Sequence, residues 1–287
     1  FVKPTIEKKS PEFRKNSAEL ISKVFGTDSE ISRSLALPLV MKNLGVIYNR
    51  PQDVAEWISW GESVWTAAGE GRNGDVLHRH LDEIYEEAIT NPKQDFWAEV
   101  ARLEIDGKVI SKEEFIGISS VMLAGGRDTV VKLITGIVWH FGRAPEDFEY
   151  LRQNPDRIDA AIQELLRFLT PNAAMVRSTV PESTAETLPE DRYVQISFIS
   201  GNFDETVFEN PYKLDIRRER IPHVSFGFGP HTCIGNHVSE IEARVFIETL
   251  LASGLKWEVS ESSKINFYPG AMAEVPEHFD SLYVRLR

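Results

Sequence analysis

The chain has 287 residues, 42% of them hydrophobic and 26% charged, with a formal net charge of -12. That is enough apolar sequence to bury a substantial core, as one large domain or two small ones. The acidic balance argues against a nucleic-acid partner, whose phosphates select a basic face, and no apolar run approaches the roughly 20 residues of a membrane span.

The sequence begins at Phe1 without a methionine or a signal-like segment, so upstream residues are expected to be missing. From Pro11 to Phe25 and from Ile31 to Leu44 apolar residues recur at helical spacing, with Gly26-Thr27-Asp28-Ser29 as the turn between. Pro51 suits a first helical position and opens a helix through Trp57, Val64 and Trp65. The stretch Gly69-Glu70-Gly71-Arg72-Asn73-Gly74 fits the Gly-x-Gly-x-x-Gly dinucleotide fingerprint. That fingerprint requires a preceding strand, and Ala55 to Ala68 reads as helix, so the stretch is a loop. Val76 to Ile89 is an amphipathic helix, Phe96 to Leu103 a short one, and Asp106-Gly107 a turn before Val109.

Ser111-Lys112-Glu113-Glu114 is a capping box, in which serine hydroxyl and Glu114 carboxylate satisfy free N–H groups. It announces the longest helix, about 112–141, which at 1.5 Å per residue runs on the order of 45 Å and must cross the core. Within it lies Ala124-Gly125-Gly126-Arg127-Asp128-Thr129. Interior glycines cost about 1 kcal/mol each, so they answer either to close helix packing or to a ligand beside bare backbone. Thr129 is four residues after Gly125, and its hydroxyl can bond back to that carbonyl and open a groove. Asp128 and Thr129 side by side can hold and relay a proton through water.

Arg157 to Phe168 is helical and places Glu164 and Arg167 on one face, a pair that alone contributes about 0.5 kcal/mol. Ala173 to Val180, which carries Arg177, and Arg192 to Phe198 read as strands. The stretch from Phe226 to Gly235 is an aromatic, glycine-rich turn that holds Cys233, the only cysteine. A lone cysteine makes no internal disulfide and fits a reducing compartment such as the cytoplasm. Ile234 to Ala252 reads as helix, through Val238, Ile241, Val245, Ile247 and Leu250. Cys233 would then sit at a helix N-terminus that favours thiolate over thiol, and a thiolate in a loop is a nucleophile or a metal ligand. Leu255 to Val259, Ile265 to Phe267 and Leu282 to Leu286 are short strands, and Gly270-Ala271-Met272 with the segment near Phe279 forms either a plain hairpin or a turn into a pocket.

Phe226 to Gly235 fits Phe-x-x-Gly-x-His-x-Cys-x-Gly, and the chain resembles the cytochromes P-450 from about Ser111 to its end, more loosely from Pro38 to Gly45. The resemblance implies a mostly α fold with small β sheets, a single domain over 1–287 lacking its N-terminal portion, and haem b between the long helix and the Cys233 loop. By the same likeness Cys233 ligates the iron, Phe226 packs beside the thiolate, and Gly125 and Gly227 bring backbone close to the cofactor. His231 and Arg177 match propionate contacts, while Asp128 and Thr129 match the acid and alcohol that deliver protons to bound dioxygen. Glu164 and Arg167 would be joined by Arg218 in a structural triad. Asn202-Phe203-Asp204 resembles the family's Asn-Arg-Asp, with Phe203 a departure.

The implied activity is monooxygenation of a small organic substrate, with electrons from a ferredoxin and a ferredoxin reductase. Arg217, Arg218 and Arg220 offer a basic cluster near the loop for an acidic ferredoxin. One rival is a peroxide-using enzyme of the same fold, which tends to lack the acid–alcohol pair; another is a non-catalytic haem-binding protein or fragment. A cysteine-nucleophile hydrolase lacks a base, since His223 and His231 belong to the loop's own pattern. Val121, Ala174 and Met272 are candidate apolar pocket residues, which many substrates would suit.

Overall fold

The computed structural model describes residues 1–26, 28–60, 64, 74–90, 95–179 and 192–287. Thr27, Trp65, the glycine-rich stretch at 69–73 and Val180 lie outside the described residues. The helices are Lys3–Glu7 (α1), Ser10–Val24 (α2), Leu37–Ile47 (α3), Val54–Ser59 (α4), Asp75–Thr90 (α5), Phe96–Val100 (α6), Lys112–Gly125 (α7), Asp128–Arg143 (α8), Pro145–Gln153 (α9), Ile158–Leu169 (α10), Phe198–Asn202 (α11) and Asn236–Ser253 (α12). A π-helical turn, Ser32–Ala36, leads into α3. Pro51 lies in the turn ahead of α4, whose N-cap is Asp53, and does not occupy the first helical position. Among the described residues no helix is long and apolar enough to cross a membrane.

The sheets are small and antiparallel. Ser29–Glu30 (β1) and Trp257–Val259 (β6) flank Tyr283–Leu286 (β9), with Ser29 and Val259 both opposite Val284. Glu104–Ile105 (β2) and Lys108–Val109 (β3) close around Asp106 and Gly107, both left-handed at φ 53° and 74°. Ala174–Ser178 (β4) pairs with Tyr193–Ser197 (β5), and Lys264–Phe267 (β7) with Pro276–Ser281 (β8).

The helix expected over 112–141 is two helices, α7 and α8, broken at Gly126-Arg127. The capping box forms as read: Glu114 N–H donates to Ser111 Oγ at 3.2 Å, and Ser111 N–H to Glu114 Oε2 at 2.7 Å. At the break Thr129 Oγ1 donates to the Gly125 carbonyl at 2.9 Å, occupying the acceptor of a regular helical bond, and Arg127 N–H turns to Ala124 O at 3.3 Å. Beyond it α8 runs through the core, with Leu133, Ile134, Ile137, Val138 and Phe141 buried against α10 and α12. Two of its glycines are packing sites: a Cβ at Gly136 would come within 2.4 Å of Leu169, and one at Gly142 within 2.8 Å of Trp257. A Cβ at Gly125 would meet nothing within 4 Å.

Candidate functional site

The break between α7 and α8 opens onto a cavity of about 500 Å3. Gly125, Gly126, Thr129 and Leu133 line it from the helices, Met175 and Arg177 from β4, Tyr48 from the turn after α3, and Ser225, Phe226, Gly227, His231, Cys233 and Gly235 from the loop ahead of α12. Residues more than a hundred positions apart therefore meet in one space, among them Gly125, Thr129, Arg177, Phe226, Gly227, His231 and Cys233, all singled out in the sequence. Asp128 is not among the lining residues; its side chain is 61% exposed and its carboxylate accepts from the Arg127 guanidinium. Of the apolar candidates Val121 lines the cavity, whereas Ala174 and Met272 do not, and Met272 is 78% exposed.

The Cys233 loop is shaped by its own backbone. Gly227 at φ 69° and Gly229 at φ 74° occupy the left-handed region that glycine adopts without strain. Cys233 N–H donates to Phe226 O at 2.8 Å and Gly227 N–H to Val224 O at 2.8 Å, so the loop closes on itself. Helix α12 begins only at Asn236, with Gly235 as its N-cap, so Cys233 lies ahead of the first turn expected to lower its pKa. Cys233 is solvent-accessible at the cavity wall, where partial desolvation of its sulfur pushes the thiol up and the Gly235 N–H opposes that rise. His231 is exposed, and Arg177, half-buried, has no carboxylate partner among the described residues; its guanidinium donates to Val176 O at 2.9 Å.

Behind the loop lies a buried ionic brace. Glu164 and Arg167 are 0% exposed and joined by two bonds, Nε to Oε2 at 2.7 Å and Nη2 to Oε1 at 2.8 Å. The fork geometry gives the pair two parallel charge-assisted bonds. Arg218 Nε donates to Glu164 Oε1 at 3.2 Å and the Asp215 N–H to the same oxygen at 3.0 Å. Arg167 continues to the carbonyls of Asn202 and Lys213 at 2.8 and 3.2 Å. Phe203 leaves no gap: its ring lies 5.3 Å from the Arg167 guanidinium and 5.2 Å from the Tyr212 ring.

The basic cluster read from the sequence is largely engaged within the molecule. Arg217 pairs with Asp147 at 2.5 Å and lies over the Tyr150 ring at 4.3 Å, and Arg218 is bound to Glu164. Sequence reasoning missed Tyr48, a buried residue whose hydroxyl donates to Met122 O at 3.0 Å. Its signal was available as the helical spacing Leu44, Ile47, Tyr48, all three of which line the cavity. It also missed Ser225 and Ser239, polar residues with no local pattern to mark them, and read His223 only as part of the loop, whereas its Nε2 meets Gln163 Oε1 at 2.8 Å.

The family profile described as Cytochrome P450 matches residues 75–278. The linalool 8-monooxygenase of Pseudomonas putida is 29% identical over 184 residues, 63% of this chain and 45% of its own length. A protein of Bacillus subtilis (strain 168) named Cytochrome P450 is 31% identical over 212 residues, 70% of this chain and 51% of its own. The chain thus spans about half the length of these curated relatives. Among solved structures, a carbohydrate active P450 superposes with a TM-score of 0.83 at 26% identity, covering 98% of this chain and 73% of the other. The hydroxylase HmtN, at 23% identity, shares the fold with a TM-score of 0.86 over 100% of this chain and 77% of its own. On the match over residues 75–278 the chain belongs to the cytochrome P450 family.

Proposed function

We propose that this chain carries the haem b site of a monooxygenase that inserts one oxygen atom from dioxygen into a small organic substrate, with electrons from a ferredoxin and its reductase. The observation that carries the reading is the cavity itself, which gathers Cys233, Thr129, Gly125, Arg177 and His231 from separate elements.

The residues fit a large flat cofactor with two carboxylates. Open space at Gly125 and the left-handed turn at Gly227 leave backbone bare toward the cavity. Arg177 and His231 supply a guanidinium fork and an imidazole without acidic partners among the described residues, suited to two propionates. The sulfur of Cys233 stands at the cavity wall, with the Gly235 N–H toward it, and would hold the haem iron. Haem held through that thiolate would supply the chemistry of dioxygen activation.

The chain's own residues do the rest. Phe226 lines the same wall as Cys233 and would limit water around a bound thiolate, which tunes the ligand while taking away part of the solvation its charge would have. The Thr129 hydroxyl donates to Gly125 O, so its oxygen remains free to accept a hydrogen bond from a water in the groove. Asp128 stands outside the cavity against solvent, beside Arg127, and takes up protons there that pass to Thr129 Oγ1 through water. The presence of both an acid and an alcohol at positions 128 and 129 favours the dioxygen route over direct use of peroxide. The relatives include proteins named linalool 8-monooxygenase and steroid C26-monooxygenase, and the apolar wall of Val121, Leu44 and Met175 suits an apolar substrate here too.

The test is the carbon monoxide difference spectrum of the reduced, haem-loaded chain. A strongly red-shifted Soret band is expected, and lost in Cys233→Ser; a mutant that keeps the band overturns the assignment of the ligand.

A further inference from the structure

The residue just before Phe226 collects bonds from three directions. Ser225 N–H donates to His223 Nδ1 at 3.2 Å, its hydroxyl donates to Leu166 O in α10 at 2.8 Å, and the same oxygen accepts from Asn202 Nδ2 at 2.8 Å. Asn202 is 0% exposed and fully engaged. Its Nδ2 also donates to Thr170 Oγ1 at 3.0 Å, its Oδ1 accepts from Val224 N–H at 2.8 Å, and its carbonyl accepts from Arg167 at 2.8 Å. On the other side, a His223 whose Nδ1 accepts must carry its hydrogen on Nε2, which donates to Gln163 Oε1 at 2.8 Å. Gln163 Nε2 then donates to Glu240 Oε1 in α12 at 2.9 Å.

We propose that Ser225, held between Asn202 and His223, is a positioning residue that fixes the register of the loop from Phe226 to Cys233 and keeps the sulfur at the cavity wall. The inference rests on the reading of Cys233 as the iron ligand. Ser225 borders the cavity, but its hydroxyl hydrogen is committed to Leu166 and its oxygen to Asn202, so its hydrogen is not offered to a ligand. Its bonds instead tie the loop to α10 and α11 directly, and to α12 through His223, Gln163 and Glu240. The next carbonyl along the chain, that of Phe226, receives the Cys233 N–H at 2.8 Å, so a shift at Ser225 is passed directly to the cysteine. Glu164 and Arg167 reach the loop by the same route, since Arg167 holds Asn202.

The experiment follows the lifetime of the red-shifted carbon monoxide band in the reduced, haem-loaded full chain at fixed pH and temperature. Ser225→Ala should lose the band about tenfold faster than wild type at equal haem content, the scale of one or two lost hydrogen bonds. Ser225→Thr keeps the hydroxyl and should restore the lifetime. His223→Leu should shorten it, and His223→Asn, which offers an acceptor to the Ser225 N–H, should recover it; this pair reads the same clamp if Ser225→Ala does not fold. Phe148→Leu, a core change in α9, should lower Tm without shortening the band's life. Wild-type lifetimes in both Ser225→Ala and His223→Leu overturn the proposal, as does an equal shortening in Phe148→Leu. A wild-type chain with no red-shifted band overturns the reading of Cys233, and this inference with it.

Discussion

The two walls of the cavity are held by different forces. The Cys233 loop rests on buried charge and hydrogen bonds: Glu164, Arg167, Arg218, Asn202 and Ser225 form one connected polar brace. The facing helix rests on apolar packing, with Gly136 pressed against Leu169 and Gly142 against Trp257, and it yields only at Gly126-Arg127. A ligand atom that must not move needs directional bonds, which fix geometry. A groove that admits small molecules needs a helix that is firm on either side of a weak point.

The comparison breaks most severely at Arg167. Arg167→Ala leaves the carboxylate of Glu164, itself 0% exposed, with much less compensation, and a broken buried pair costs about 3–5 kcal/mol. Denaturant unfolding should show that loss together with poor haem retention. Stability within about 1 kcal/mol of wild type would mean that the brace contributes no more than a surface pair does.

A pH titration of stability probes the helix that carries the loop's far end. Glu242 on α12 is buried, its carboxyl oxygens lack hydrogen-bond partners among the described residues, and burial pushes its pKa up to about 8, with Asn43 partly offsetting. The folded chain then binds a proton that the unfolded chain releases above the ordinary glutamate pKa of about 4.3. Its contribution to stability is greatest below that pH and falls as pH rises through about 8. Glu242→Gln should flatten that slope and raise stability at neutral pH by on the order of 2 kcal/mol. An unchanged slope would place the titrating group elsewhere.

The glycines sharpen the contrast within one helix line. Gly136→Ala should destabilise by about 1–3 kcal/mol, because the new methyl overlaps Leu169. Gly125→Ala meets open space and should gain up to about 1 kcal/mol of helix propensity while crowding the cavity. Unfolding curves and haem titrations on both variants separate packing from groove.

How much of this was legible follows from distance along the chain. The Cys233 loop, the Gly125 to Thr129 bond and the Glu164–Arg167 pair are local patterns, and each appears as spacing. The break at Gly126-Arg127 was not, because the apolar periodicity continues across it. Gly136 and Gly142 could not be sorted from Gly125, since their partners Leu169 and Trp257 lie 33 and 115 residues away. The helix start at Asn236 was misjudged because Ile234 fits the apolar pattern, although the backbone caps at Gly235. The Ser225 clamp joins residues 23 and 59 positions apart, and no propensity marks it.

The smallest structural change carries a sharp functional test. Thr129→Ala removes a side-chain bond to Gly125 O that competes with the helix, so stability should change by less than about 1 kcal/mol, and the break should narrow. The haem-loaded chain should keep its spectrum, since neither Cys233 nor its brace is touched. Asp128 would still face solvent, but the hydroxyl proposed to receive its proton would be gone. Electrons should then appear as peroxide, with less product for each electron pair taken up. Unchanged coupling with an unchanged spectrum would sink the proton-delivery role and leave Thr129 as a device that bends the helix; impaired coupling with an intact Soret band would separate the groove's task from the loop's.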